Sequence, residues 1–267
     1  MIKLCAIGDP HGNLEKIKKI DFSGVDLILL TGDLGKADIA RNRFFENKER
    51  ESEGLEELKE DKNFIKKSHS EIINSTISIL KYLSKCAPVY SIQGNVGIPG
   101  IREVRKDFEK WGVRLKSARS EIEKMSDVVI VKNRLRLLDN LRVGFLEYFT
   151  DTSWVREFKP ANYREKMKKA KKETDKARRV LSRFGNGLDI LVCHQPPYGI
   201  LDKVNFKGVP KNWIGKHAGS KSVLDYINKF EPRYVFCGHI HEGEGYKKIG
   251  KTEVYNLGVT SHIMLDI

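Results

Sequence analysis

The chain contains no long apolar run. No stretch approaches the roughly 20 apolar residues needed to cross a bilayer, so a membrane span is not expected. It also lacks internal repeats and low-complexity linkers, so nothing in its composition marks a division into parts. Signal-peptide character is missing from the first residues. Ile2–Ile7 reads as a strand and a ligand-type residue, Asp9, comes directly after it, so this end is expected to be mature structure. Cysteine is scarce. Cys5, Cys86, Cys193 and Cys237 include no Cys-x-x-Cys pair, and three lie in apolar strand-like runs. They are expected to be small buried hydrophobes in a reduced, cytoplasmic protein. Glutamine occurs only at Gln93 and Gln195, while Lys, Glu and Ile abound, a thermophile-like balance. Acidic residues fall short of basic ones, 36 against 49, for a formal net charge of +13. That charge favours anionic partners, phosphorylated metabolites as much as nucleic acid. At 267 residues the chain is long enough to bury a sizeable core.

What is present is a series of short apolar runs. They are Ile2–Ile7, Val25–Leu30, Val89–Ile92, Val128–Val131, Leu141–Phe149, Ile190–Cys193, Tyr234–Cys237 and His262–Ile267. Continuous runs of this length predict strands buried on both faces. Helical patterns between several of them predict an α/β architecture. Lys132-Asn133-Arg134 and Ile249-Gly250-Lys251 each predict a hairpin, so the sheets should be mixed. Two helical insertions are expected, at about 37–85 and 155–187. The first carries the stripe Ile65, His69, Ile72, Thr76, Ile79 and Leu83, in which His69 reads as packing. The second is strongly basic and stops at Gly185-Asn186-Gly187. Between Gly245 and Thr252 the chain fits the phosphate-loop consensus. The next residues, Glu253–Leu257, are strand-like rather than helical, so a nucleotide loop is rejected.

Five motifs come after apolar runs. They are Gly8-Asp9-Pro10-His11-Gly12-Asn13, Thr31-Gly32-Asp33, Gly94-Asn95, Val192-Cys193-His194 and Gly238-His239-Ile240-His241. Sites in open α/β sheets form beyond the carboxyl ends of strands, so five loops are expected to converge. Asp9, His11, Asp33, Asn95, His194, His239 and His241 offer mixed oxygen and imidazole ligation, enough for two cations sharing one carboxylate. Asp33 is the natural bridge, because a carboxylate has two oxygens. Such ions, roughly 3.5–4 Å apart, suit in-line displacement at phosphorus. The donor set suits Mn, Fe, Co, Ni or Zn better than Mg or Ca.

The ordered set resembles the calcineurin-like metallophosphoesterase superfamily over almost the whole chain. His217-Ala218-Gly219-Ser220 and the ending Lys251–Gly258 look like its Icc-related branch of small phosphoesterases. The resemblance implies one domain over 1–267, a four-layer αββα sandwich of two mixed sheets flanked by helices. It implies Asp9, His11, Asp33 and His241 on one ion and Asp33, Asn95, His194 and His239 on the other. It also implies a metal-bridging hydroxide attacking phosphorus in line, in a phosphatase or phosphodiesterase, with manganese among the candidate ions. Asp33 and His217 are the catalytic candidates, and Asn13, Asn95 and His217 the substrate-binding ones. The expected partner is a phosphorylated small molecule, with nucleic acid admitted but not required. One departure matters. The family usually has Gly-Asn-His at the third motif, and here Val96 replaces the histidine that assists the leaving group. The alternatives are a nuclease of the same superfamily, a binding protein on this fold with weak or lost turnover, and a metal-free scaffold.

Overall fold

A computed structural model describes residues 1–206 and 209–267, apart from the side chain of Ser52. In chain order the strands are β1 (Lys3–Ile7), β2 (Leu27–Leu30), β3 (Val89–Ser91), β4 (Val128–Ile130), β5 (Arg134–Leu138), β6 (Leu141–Leu146), β7 (Ile190–Cys193), β8 (Tyr234–Cys237), β9 (Gly245–Ile249), β10 (Thr252–Asn256) and β11 (His262–Asp266). The helices are α1 (Leu14–Ile17), α2 (Asp38–Ser52), α3 (Lys62–Leu83), α4 (Ile101–Trp111), α5 (Ala118–Ile122), α6 (Thr152–Phe158), α7 (Tyr163–Phe184) and α8 (Lys221–Phe230). One sheet runs β11-β1-β2-β3-β4 and the other β5-β6-β7-β8-β10-β9. Both are mixed. β1, β2, β3 and β4 pair in parallel and β11 closes antiparallel. β6, β7, β8 and β10 pair in parallel, between antiparallel β5 and β9.

The central strands β2, β7 and β8, and β1 from Leu4 onward, are apolar throughout because both faces are covered. Leu4, Ala6, Leu27 and Leu29 face Val143, Phe145, Ile190, Val192 and Phe236 in a core between the sheets. The alternate residues Cys5, Ile7, Ile28 and Leu30 pack outward on Ile17, Ile73, Leu80, Leu83 and Ile122 of α1, α3 and α5. On the other side Leu191, Cys193, Val235 and Cys237 meet Ala177, Leu181, Val223 and Ile227 of α7 and α8. Burying an aliphatic side chain is worth ~1.5–3 kcal/mol. Strands gain this on both faces, which removes the polar alternation of a half-exposed strand. The layers are helices, sheet, sheet, helices, the αββα sandwich that was expected. Among the described residues no helix is long and apolar enough to cross a membrane. All four cysteines are free thiols, three of them buried.

Two strand readings need correction. Lys132-Asn133-Arg134 is not a hairpin. β4 belongs to one sheet and β5 to the other, so this segment crosses between them. Asn133, at φ 49°, redirects the backbone. The hairpin lies one strand later, where Leu138 pairs with Leu141 and Asp139 and Asn140 both take positive φ, 45° and 72°. Two positive φ values are what a tight primed turn demands. The run Leu141–Phe149 is strand only to Leu146. Beyond it the chain turns toward α6.

The Gly250-Lys251 turn forms as expected, between Ile249 of β9 and Thr252 of β10. The consensus match therefore sits on a hairpin. Lys251→Ala is expected to leave metal uptake and phosphoester hydrolysis unchanged within about twofold. A large loss of ATP affinity in that variant would restore the rejected reading.

Asp151 ties the second helical layer together. It is fully buried. One carboxylate oxygen caps α6 by accepting from the Ser153 N–H at 2.9 Å. The other accepts from the Ser220 hydroxyl at 2.7 Å and the Ser222 N–H at 3.2 Å. Ser220 in turn caps α8, accepting from the Val223 N–H at 3.2 Å. Burial pushes the Asp151 carboxyl up, but these donors outweigh it and hold the group below its usual range. Hydrogen bonds to a charged group are worth ~1.5–3 kcal/mol each, so Asp151→Ala should destabilise the fold by about 3 kcal/mol. A lowered folded pKa means the contribution is complete above the unfolded value, about 3.9, and is lost as pH falls through the folded value. Thermal unfolding should show a constant gap between wild type and variant from pH 7 to 5, narrowing in stronger acid. A gap that widens on acidification would contradict this account.

Candidate metal centre

Five loops leave β1, β2, β3, β7 and β8 at their carboxyl ends and meet at one edge of the sandwich. Three of the seven ligand-type residues, His11, Asp33 and His239, sit in the left-handed backbone region at φ 44°, 44° and 66°. Such conformations are strained for residues with a Cβ and persist where surrounding structure enforces them. Here the backbone enforces them. The His11 N–H donates to the Asp33 carbonyl and the Asp33 N–H to the Gln93 carbonyl, both at 2.9 Å. The Gly238 N–H donates to the His194 carbonyl at 3.0 Å. Gly94 and Gly238 are required by close approach. A Cβ on Gly94 would stand 2.2 Å from Asp33 Oδ1, and one on Gly238 the same distance from Asp9 Oδ1.

Asp9 and His194 are buried, and Asp33 nearly so. The Asp9 carboxylate accepts from the Thr31 hydroxyl at 2.7 Å and from the His239 N–H at 2.6 Å. Asp33 Oδ1 accepts from the Val96 N–H at 2.7 Å. Its Oδ2 lies 3.5 Å from His194 Nε2 and 3.8 Å from His11 Nε2, between the two imidazoles. His241 Nε2 is 3.5 Å from Asp9 Oδ2 and 3.2 Å from His11 Nε2. His194 Nδ1 donates to the Thr31 carbonyl at 2.9 Å, which leaves Nε2 facing the Asn95 amide oxygen at 2.7 Å. The His239 and His194 rings are 4.9 Å apart.

All seven residues thus meet. Asp9, His11 and His241 bring ligand atoms within 4.8 Å of one another, as do Asp9, Asp33 and His194. Buried carboxylates facing imidazole nitrogens and one amide oxygen form a donor set that fits a first-row divalent ion. The electrostatics couple the same residues. Burial pushes the Asp33 carboxyl up, but His194 and His11 outweigh it and hold it below the carboxylate range. Burial lowers the His194 imidazole, yet Asp33 and Asp9 raise it to about 9. Burial, reinforced by His194, lowers His239 to about 3, which favours the neutral imidazole that a metal binds.

The two other candidates make their hydrogen bonds to residues outside this ligand cluster. The Asn13 side-chain oxygen caps α1, accepting from the Lys16 N–H at 3.2 Å. His217 Nδ1 donates to Asp202 Oδ1 at 2.6 Å, and its ring lies 5.3 Å from that of Tyr198. Asp202 is buried and its other oxygen accepts from the Gly199 and Gly219 N–H groups. Three residues were missed by sequence reasoning. Thr31 orients Asp9, Asp202 fixes His217, and Tyr148 packs 5.3 Å from His239 and 5.9 Å from His194. Only Thr31 carried a signal, inside its motif.

Comparison with known proteins agrees with this geometry. The family described as calcineurin-like phosphoesterase matches residues 2–243. A protein of Methanocaldococcus jannaschii is 37% identical over 78 residues, 28% of this chain and 34% of that protein. Human metallophosphoesterase domain-containing protein 1 is 34% identical over 77 residues, 27% of this chain and 21% of its own. The match therefore spans only about a third and a fifth of these relatives. A solved structure from Thermus thermophilus aligns over 97% of this chain and 90% of its own, with TM-score 0.51 and 16% identity. Phosphopantetheinyl hydrolase from Mycobacterium tuberculosis aligns over 97% and 89%, with TM-score 0.58 and 12% identity. At such identities the likeness is one of fold.

Proposed function

We propose, because this chain belongs to the calcineurin-like phosphoesterase family, that it is a single-domain phosphoester hydrolase working with two divalent transition-metal ions. The observation that carries this reading is the meeting of carboxylate and imidazole atoms from separate loops within 4.8 Å. Asp9, His11, Asp33 and His241 would hold one ion, and Asp33, Asn95, His194 and His239 the other. When bound, the ions supply Lewis-acid charge to phosphoryl oxygens and lower the pKa of water.

The chain's own residues do the positioning. Thr31 and the His239 N–H fix the Asp9 carboxylate, and the Val96 N–H fixes Asp33. The Thr31 carbonyl sets the His194 tautomer so that Nε2 carries the lone pair. Asp202 holds His217 Nδ1 and so presents Nε2 to the substrate, where it gives a proton to a substrate oxygen from the doubly protonated ring. The Asn13 oxygen is engaged in a cap, so its amide N–H groups are the part that would reach a phosphate. Unpaired thiols suit a cytoplasmic setting.

The test is metal analysis joined to a hydrolysis screen of phosphomonoesters, phosphodiesters and cyclic nucleotides with Mn, Fe, Co, Ni and Zn. Two ions per chain and turnover of at least one ester class are expected. Two ions without turnover would favour a binding protein on this fold. No metal uptake would overturn the reading.

A further inference from the structure

A cavity of about 1240 Å³ opens beside the metal centre, walled by the loop that carries Asn95. Gln93, Gly97, Ile98 and Pro99 line it. The same loop touches Asp33 through the Gln93 carbonyl and the Val96 N–H. The cavity and the candidate centre therefore flank one short segment, with Gln93 and Gly97 lining the first and Asn95 in the second. Compact ligand sites run to ~300–1,000 Å³, so this one holds more than a single phosphate.

Its charge is one-sided. α4 supplies Arg102 and Lys106, the crossing between the sheets supplies Lys132, and edge strand β5 supplies Arg134 and Arg136. Among the described residues none of these five makes an ion pair or a hydrogen bond through its side chain. The lining carboxylates are already engaged. Glu103 accepts from the Gly100 N–H at 3.2 Å, Glu109 pairs with Arg105 at 2.9 Å, and Glu123 with Arg119 at 2.7 Å. Five cations thus face one cavity in which, among the described residues, Glu103 is the one lining carboxylate that no cation pairs, and Lys132 also acts on the Glu147 carboxylate.

His69 adds a directed group. It lines the cavity from α3, and its Nδ1 lies 2.5 Å from Oδ2 of the buried Asp107 on α4. That bond occupies Nδ1 and leaves Nε2 for a ligand, to which it donates when the ring carries both protons. No Phe, Tyr or Trp lines the cavity, and strand-binding grooves depend on such stacking surfaces.

We infer that this cavity binds a linear chain of two or more phosphates carried by a small molecule, and holds the phosphates that are not cleaved. The inference rests on the phosphoesterase reading for its role and on the cavity alone for binding. Its test is calorimetric titration of the metal-loaded protein with inorganic tripolyphosphate, ATP and a ten-nucleotide thymidine strand. Wild type and R134A/R136A are compared. Both arginines are exposed and make no side-chain bond, so the variant should keep its thermal midpoint. It shares the metal centre, so chelation by the phosphates contributes equally to both.

The double variant is expected to bind tripolyphosphate and ATP at least tenfold more weakly. Its kcat/KM on a small aryl phosphate should stay within twofold. His69→Gln should weaken the same two ligands severalfold. ATP binding as tightly as tripolyphosphate or more tightly would support a chain carried by a small molecule, and ATP binding at least tenfold more weakly than tripolyphosphate would overturn that part of the inference. Unchanged affinities in the double variant would overturn the inference, and so would the oligonucleotide binding tighter than both. Because binding is read without turnover, a protein that binds these ligands and hydrolyses nothing would sink the phosphoesterase reading alone.

Discussion

Asp33→Ala is expected to reduce bound metal from two ions to one or none and to lower phosphoester hydrolysis by about 10³-fold or more. The magnitude comes from the charge stabilisation a metal gives a phosphoryl transition state, several kcal/mol, with each ~1.4 kcal/mol worth tenfold in rate. The position explains why this carboxylate matters most. One oxygen is held by the Val96 N–H at 2.7 Å. The other lies 3.5 Å from His194 Nε2 and 3.8 Å from His11 Nε2, the two imidazoles assigned to different ions. No other carboxylate is assigned to both ions. Asp33→Asn is the sharper comparison, because the amide keeps the shape and an acceptor for Val96 while removing the charge. It should bind metal more weakly than wild type and leave the fold intact. Undiminished metal content in Asp33→Ala, measured on folded protein, would show that the ligand assignment is wrong.

Much of this site was readable before the fold was seen, and the reason is local. Each candidate ligand lies within four residues of the end of its strand, so the apolar run fixes where the side chain emerges. The runs were easy to find because Leu27 and Leu29 bury on one face and Ile28 and Leu30 on the other. Partners that are distant in sequence were not readable. Tyr148 meets His194 and His239 from another strand end, and nothing in Glu147-Tyr148-Phe149 marks it. Asp202 reaches His217 across a loop, through a bond that no local pattern encodes. His69 lies on the helix stripe as expected, but its ring meets Asp107 on α4 rather than only filling space. The Lys132–Arg134 segment misled for a different reason. A hairpin and a crossing between sheets use the same turn chemistry at Asn133, and only strand pairing tells them apart. The cationic cavity could not be read either, because α4 and β5 bring its charges together in space alone.

Val96 supports the second large effect. Its backbone N–H serves Asp33 at 2.7 Å, so the position keeps a structural role that any residue except proline can fill. Its side chain has no proton to give a leaving group. General acid help is commonly worth ~10²–10⁴-fold, and esters with good leaving groups need it least. Aryl phosphates or aryl phosphodiesters should therefore turn over readily, with alkyl esters slower by about 10²-fold or more in the chemical step. Val96→His should narrow that gap by raising the alkyl rate. His217 is the residue proposed to replace part of the missing function, with its Nδ1 fixed by Asp202 and its Nε2 free. If it does so, His217→Ala should harm alkyl substrates far more than aryl ones. Asp202→Asn should shift the same ratio less and leave KM for aryl substrates unchanged. Equal loss on both ester classes would assign His217 to binding or packing, and no loss would remove it from the site. A wild-type protein that cleaves alkyl and aryl esters at similar chemical rates would mean that another acid is well placed, and the inference from Val96 would fail.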